Sequence, residues 1–134
     1  MISFDSNVLV YAADRRDTRK QTVAHRLLRE SAGAVLLWQV ACEFIAASRK
    51  LTPHGLTTQE AWDQLDYYRR AFPITLPSPS VLDAARDLHV NRQWSFWDAM
   101  LVAACVDAGV TRLYSEDLPG QSSPPGLEIV NPFA

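Results

Sequence analysis

The chain has 134 residues, close to the modal size of one domain, and reads as a single domain over residues 1–134. Hydrophobic residues make up 48% and charged residues 21%, the balance of a globular protein that can fold without disulfides or a structural metal. Thirteen basic against fifteen acidic side chains leave a formal charge of -2, which excludes a strongly basic binder but allows a local basic groove.

Other classes fall on local grounds. The longest apolar run, Ala99 to Val106, is far short of the roughly 20 residues of a membrane span. Asp5 stands where a signal peptide needs a basic start and an apolar core, so a cytoplasmic location is expected. Cys42 and Cys105 form no CxxC pair and are expected to be reduced and buried. No two glycines are closer than Gly120 and Gly126, which excludes a GxGxxG turn or a phosphate-cradling P-loop.

In chain order, Ile2 to Phe4 is short and apolar, suited to a buried strand. Thr18 to Glu30 places Val23, Leu27 and Leu28 on one face with basic residues opposite, an amphipathic helix. Val35 to Trp38 predicts a second strand, and Gln39 to Lys50 the helix after it. Thr57 and Glu60 have capping-box spacing and open a helix to about Arg70. Pro73 to Leu76 is a weaker strand signal. Ser78 and Pro79 suit the start of a helix through about Val90. Ser95 and Asp98 repeat the capping-box spacing, and Gly109 is placed to stop the helix they open. Pro119 to Gly126 is a loop, flanked by strands at Arg112 to Tyr114 and Leu127 to Val130. Alternating strands and helices predict an α/β fold of three layers, with a central, mainly parallel sheet covered on both faces.

In such a sheet, strand C-termini and helix N-termini share the edge where ligands bind. Asp5 follows the first strand, Glu43 lies early in the helix after the second, Asp98 opens a later helix, and Asp117 follows the strand ending at Tyr114. All four map to that edge. Singly, Asp5 could be a helix cap, Asp98 a capping-box acid and Asp117 a turn residue. Glu43 has Val40, Ala46 and Ala47 three or four residues away, an apolar face where an ionised carboxylate needs a partner, either an arginine or something shared with the other acids.

Two carboxylates about 4 Å apart repel by about 4 kcal/mol at an effective dielectric of about 20. Four together therefore take up protons or recruit a cation. Oxygen-only ligands favour Mg²⁺ or Mn²⁺ over zinc. His25, His54 and His89 are scattered, and no nucleophile elbow supports a Ser-His-Asp triad. An acidic site of this kind suits phosphodiester hydrolysis, where the ion activates water and offsets charge on phosphate oxygens.

The stretch Asp5-Ser6-Asn7 after an opening strand resembles the first motif of PIN-domain nucleases. Glu43, Asp98-Ala99 before an alanine-rich apolar helix, and Ser115-Glu116-Asp117-Leu118 after a strand resemble the second, third and fourth. The tail, with Gly120-Gln121, Gly126-Leu127 and Ile129-Val130-Asn131-Pro132-Phe133, resembles the end of bacterial VapC-type toxins. The proline-containing Leu118-Pro119-Gly120 stretch, with Pro124 and Pro125, departs from that pattern but leaves the acids intact. The resemblance implies a three-layer α/β/α PIN-like fold and a Mg²⁺- or Mn²⁺-dependent endoribonuclease that cuts structured cellular RNA and slows translation. It also implies a homodimer with its acidic edges facing a shared groove, a small VapB-type antitoxin partner, and a higher assembly on operator DNA.

Asn7 and Ser115 are candidates to hydrogen-bond the carboxylates, or else caps and turn formers. Arg15, Arg16, Arg19 and Lys20 follow Asp5 closely, and Arg49 and Lys50 follow Glu43; they are candidate RNA contacts or a solvated face. Trp94, Phe96 and Trp97 read first as core or dimer contacts and second as base-stacking groups.

The rivals are weaker. A haloacid-dehalogenase-like phosphatase needs Asp where Asn7 stands, and a receiver domain needs a late lysine, whereas Lys20 and Lys50 are the only lysines. A non-cutting RNA- or protein-binding module, or a nuclease acting on DNA, are the alternatives that keep all four acids.

Overall fold

The structure is a computed structural model and describes residues 1–118 and 123–134. Strand β1 (Ile2–Phe4) is followed by helices α1 (Ser6–Ala13) and α2 (Thr18–Glu30), strand β2 (Leu36–Leu37) and helix α3 (Trp38–Ser48), which tightens into a 3-10 turn over Arg49–His54. Helix α4 (Thr58–Ala71), strand β3 (Ile74–Thr75), helices α5 (Pro79–Asn91) and α6 (Phe96–Asp107), and strands β4 (Arg112–Tyr114) and β5 (Glu128–Val130) complete the chain. The turn-rich stretch expected from Pro119, with Gly120 and Gln121, lies in part outside the described residues.

Strands β1, β4 and β5 form one parallel ladder in the order β1-β4-β5, and β2 pairs with β3, also in parallel. The Val35 N–H donates to the Ile2 carbonyl at 3.0 Å and the Ser3 hydroxyl to the Val35 carbonyl at 2.7 Å, so β2 runs beside β1. Across the molecule the order is therefore β3-β2-β1-β4-β5. Consecutive residues Ser3 and Phe4, and Leu36 and Leu37, are all buried, as a sheet covered on both faces requires. The crossovers from β1 to β2 to β3 progress one way and the return from β3 to β4 the other. With right-handed connections this puts α1–α4 on one face and α5–α6 on the opposite one. Helix α1 packs on α2 and α3, α3 on α4, and α5 on α6. The expected three-layer α/β/α architecture is present. The strand order reverses between β1 and β4, a topological switch point where such sheets open a crevice.

The local signals mostly hold. Thr57 accepts from the Glu60 N–H at 3.1 Å while Glu60 accepts from the Thr57 N–H at 3.1 Å, a complete capping box. Gly109 takes φ +77°, the left-handed conformation expected just past a helix end. Helix α1 has no counterpart among the elements expected from the sequence, and three further details differ. Trp38 begins α3 and does not end β2, because β2 is only two residues long. Ser95 is the N-cap of α6 but makes no capping hydrogen bond, so Asp98 is no capping-box acid. Ser78 is the N-cap of α5 with Pro79 after it, as expected, and its hydroxyl, which makes no capping bond, donates to Asp107, 3.1 Å from either carboxylate oxygen, tying α5 to α6. Cys105 is buried, and burial pushes its thiol up to about 12, whereas Cys42 is exposed, contrary to expectation.

These caps make a direct test. Thr57→Ala should cost about 1 kcal/mol in urea unfolding, the usual worth of a cap, whereas Ser95→Ala should cost clearly less. Equal losses would show that the Thr57 box contributes nothing beyond its sequence pattern.

Candidate active site

The register of β1 on β4 pairs Phe4 with Tyr114. The chain then leaves both strands side by side: the Asp5 N–H donates to the Tyr114 carbonyl at 2.8 Å. Asp5 is the N-cap of α1, and its Oδ1 accepts from the Ser6 N–H at 2.7 Å. Its Oδ2 accepts from the Ser115 hydroxyl at 2.7 Å. Only 6% of Asp5 is exposed. Both readings of this residue are thus true: it caps a helix, and it is a buried carboxylate at the switch point.

The other three acids converge on it from separate elements. Burial raises the Asp5 pKa against the hydrogen bonds from Ser115 and Ser6, and the negative charges of Asp117 and Asp98 raise it further. Glu43, half-buried on α3, is raised by burial against a hydrogen bond from Gln39, and also by the charges of Asp5 and Asp98. Asp98 sits in the first turn of α6, where the helix dipole favours an anion. Asp117 is exposed in the loop after β4, and its Oδ2 accepts from Asn7 Nδ2 at 3.2 Å.

The alternative of an arginine partner for Glu43 is not what the structure holds. The ion pairs among the described residues are Arg16–Asp14, Lys20–Glu116 and Arg112–Glu128, none of which involves the four acids. Asp5 feels the charges of Asp98 and Asp117, and Glu43 those of Asp5 and Asp98; all four offer oxygen donors only, the chemistry that suits a hard divalent cation. Among the described residues, no three acidic, histidine or cysteine side chains are already arranged to hold an ion.

The supporting polar groups are specific. Ser115 Oγ donates to Asp5 and accepts from the N–H groups of Asp117 and Leu118 at 3.2 and 3.3 Å. Asn7 spans two residues of the same loop, donating to Asp117 and accepting from the Glu116 N–H at 3.4 Å. Gln39 went unnoticed in the sequence. Its Nε2 donates to Glu43 Oε1 at 2.8 Å and to the Trp97 carbonyl at 3.0 Å, linking α3 to the start of α6. The i,i+4 spacing of Gln39 and Glu43 was the available signal.

The basic candidates scatter. Arg15 and Arg16 lie past the C-terminal end of α1, opposite its Asp5 cap, and Arg16 is engaged by Asp14 at 3.0 Å. Arg49 lies about 9 Å further along the helix axis than Glu43, toward the opposite edge. Arg19 donates to the Phe133 carbonyl at 3.0 Å. Lys20 reaches the loop beside Asp117, where its ammonium donates to Glu116 and to the Tyr11 hydroxyl. Trp94 is buried, as a core aromatic should be, whereas Phe96 and Trp97 are exposed. Trp97 borders an apolar groove of about 430 Å³ that also includes Trp38, Leu76 and Glu43.

The PIN domain family model matches residues 2–118, and the chain belongs to that family. No curated protein matches it significantly in sequence. Among solved structures, VapC20 of Mycobacterium tuberculosis, described as a Sarcin-Ricin loop cleaving toxin, superposes with a TM-score of 0.68 at 18% identity, covering 92% of this chain and 98% of that one. A toxin-antitoxin complex from Klebsiella pneumoniae gives 0.69 at 17% identity, covering 98% of each chain. VapBC2 from Rickettsia felis, bound to a fragment of its promoter DNA, gives 0.70 at 14% identity, again with 98% of each. At such identities the likeness establishes a common fold.

Raised carboxylate pKa values have a defined consequence for stability. The protonated forms of Asp5 and Glu43 favour the folded state, so their contribution is complete below the unfolded values of about 4 and is lost as pH rises through the folded ones. In chelator, Asp5→Asn and Glu43→Gln should each melt higher than the parent, with the gap widening from about pH 4 toward neutrality. A variant that melts lower at every pH would mark that acid as a structural partner.

Proposed function

We propose that this chain is a Mg²⁺- or Mn²⁺-dependent endoribonuclease, a VapC-type toxin that cuts structured cellular RNA, slows translation, and is neutralised by a VapB-type antitoxin. The observation that carries the reading is Asp5: a carboxylate buried at the sheet's switch point, facing Asp98 and Asp117 with no cationic partner among the described residues. The description of VapC20 as a toxin that cleaves an RNA loop supports RNA as the substrate class. The toxin-antitoxin complexes, one of them on promoter DNA, support a small antitoxin and an assembly on operator DNA. Exposed Trp38, Leu76 and Trp97 around the groove beside Glu43 offer apolar surface for a homodimer with its acidic edges turned toward each other. Residues 1–134 act as one nuclease domain. Among the described residues no helix is long and apolar enough to cross a membrane.

Asp5, Glu43, Asp98 and Asp117 would hold the cation, which when bound supplies water activation and offsets charge developing on phosphate oxygens. Ser115 holds one oxygen of Asp5, the Ser6 N–H holds the other, Asn7 orients Asp117, and Gln39 orients Glu43. Asp5 is thus held at both oxygens, Asp117 and Glu43 at one each, and Asp98 is set at a helix start, which limits the side-chain entropy lost on binding.

Purified, antitoxin-free protein incubated with total bacterial RNA in Mg²⁺, Mn²⁺ or chelator should release discrete fragments only with metal. Asp5→Asn, Glu43→Gln, Asp98→Asn and Asp117→Asn should each lower the rate by about 100-fold or more, the scale of removing one electrostatic group at a reacting centre. Parallel DNA of the same sequence should survive. Full activity in any one variant would remove that residue from the site, and DNA cleavage would reassign the substrate.

A further inference from the structure

Residues 115–118, which follow β4 and carry Asp117, have no helix or strand structure of their own. Asp117 bears the same charge as Asp5, which it faces, so repulsion tends to push this exposed loop outward. Something must hold it in. The Ser115 N–H donates to the Val130 carbonyl at 2.9 Å, and the Glu116 N–H to Asn7.

The third attachment is a side chain. Glu116, between Ser115 and Asp117, has both carboxylate oxygens engaged: Oε1 accepts from Lys20 Nζ and Oε2 from the Tyr11 hydroxyl. Lys20 Nζ also donates to the Tyr11 hydroxyl at 3.0 Å, closing a triangle between α1, α2 and the loop. The ammonium lies 4.5 Å from the centre of the Tyr11 ring and 5.9 Å from that of Phe133. Tyr11 and Phe133 meet edge to face at 4.8 Å, and Arg19 fixes the Phe133 carbonyl. The Lys20 and Glu116 side chains are only 21% and 24% exposed.

We infer that Lys20, Tyr11 and Glu116 form a clamp that positions the loop carrying Asp117, making Lys20 a positioning residue of the site and not a contact to RNA phosphate. The catalytic consequence rests on the nuclease reading above; the holding of the loop does not. A phosphate-binding lysine presents its charge to solvent, whereas this one is covered by two rings and paired with the residue next to Asp117. Charge-assisted bonds of this kind, partly shielded from water, hold geometry better than an exposed pair.

Lys20→Met, Glu116→Gln and the double variant separate the roles. The clamp predicts faster hydrogen exchange at the Asp117 and Leu118 amides in each single variant, with exchange at core helix α6 unchanged. It also predicts a kcat lower by about 10- to 100-fold with KM little altered, and a weaker Mn²⁺ titration. The double variant should be no worse than either single one, because the two residues act as a unit. Lys20→Arg, which keeps a cation against Glu116, should retain most activity. A phosphate contact instead predicts a higher KM for Lys20→Met, unchanged amide exchange, and tighter RNA binding by Glu116→Gln; that pattern overturns the clamp. Wild-type protein that neither binds Mn²⁺ nor cuts RNA would sink the nuclease reading, and the amide exchange would still decide the clamp.

Discussion

The parallel pairing of β1 with β4 is the constraint on which the carboxylate edge depends. It joins residues more than a hundred positions apart and sets them in one register, so that Asp5 and Ser115 leave their strands as neighbours. A slip of one residue would turn the alternating side chains of β1 to the opposite faces and break the bond between them. The same pairing fixes the start of α1, because Asp5 caps it, and the start of the loop that holds Asp117. Glu43 and Asp98 then arrive on helices that must begin at that edge in a parallel sheet.

This geometry works against stability. Burying Asp5 beside other carboxylates raises its pKa, and no ion pair among the described residues offsets the charge. The surrounding structure compensates locally with dipoles: two donors on Asp5, Asn7 on Asp117, Gln39 on Glu43, and the α6 N-terminus behind Asp98. Neutral donors lower the cost of each charge without cancelling it. The net negative field that remains is what a divalent cation would relieve. Among the described residues no lysine or arginine pairs with the four acids, and Lys20, beside the Asp117 loop, is bound to Glu116.

Most of the strand and helix order, though not helix α1, was legible in the sequence because the elements had local signatures: the apolar face of α2, the Thr57–Glu60 box, Pro79 at the start of α5, and Gly109 past α6. The edge shared by the four acids followed from that order alone. Side-chain partners did not follow. Ser95 and Asp98 match the box spacing as well as Thr57 and Glu60 do, yet only the latter pair closes, since the pattern does not encode where the side chains turn. The Arg15–Lys20 run looked like one basic surface, but Arg16 goes to Asp14, Arg19 to Phe133, and Lys20 to Glu116 and Tyr11. Cys42 was expected to be buried from its apolar neighbours, but it falls on the outward side of α3.

The distribution of the acids along the chain also bears on when the site comes into existence. Asp5 follows β1, whereas Ser115 is held by the Val130 carbonyl on β5, and Glu116 by Lys20 and Tyr11. The Asp117 loop therefore takes its supports from both ends of the chain, Asn7, Tyr11 and Lys20 on one side and β5 on the other. Contacts this far apart in sequence form late in folding. A partly synthesised chain can build α1 to α5 and still lack the complete set of four carboxylates. The carboxylate edge is thus completed only by the longest-range strand pairing of the sheet, β1 on β4, and cannot be assembled from any one stretch of the chain.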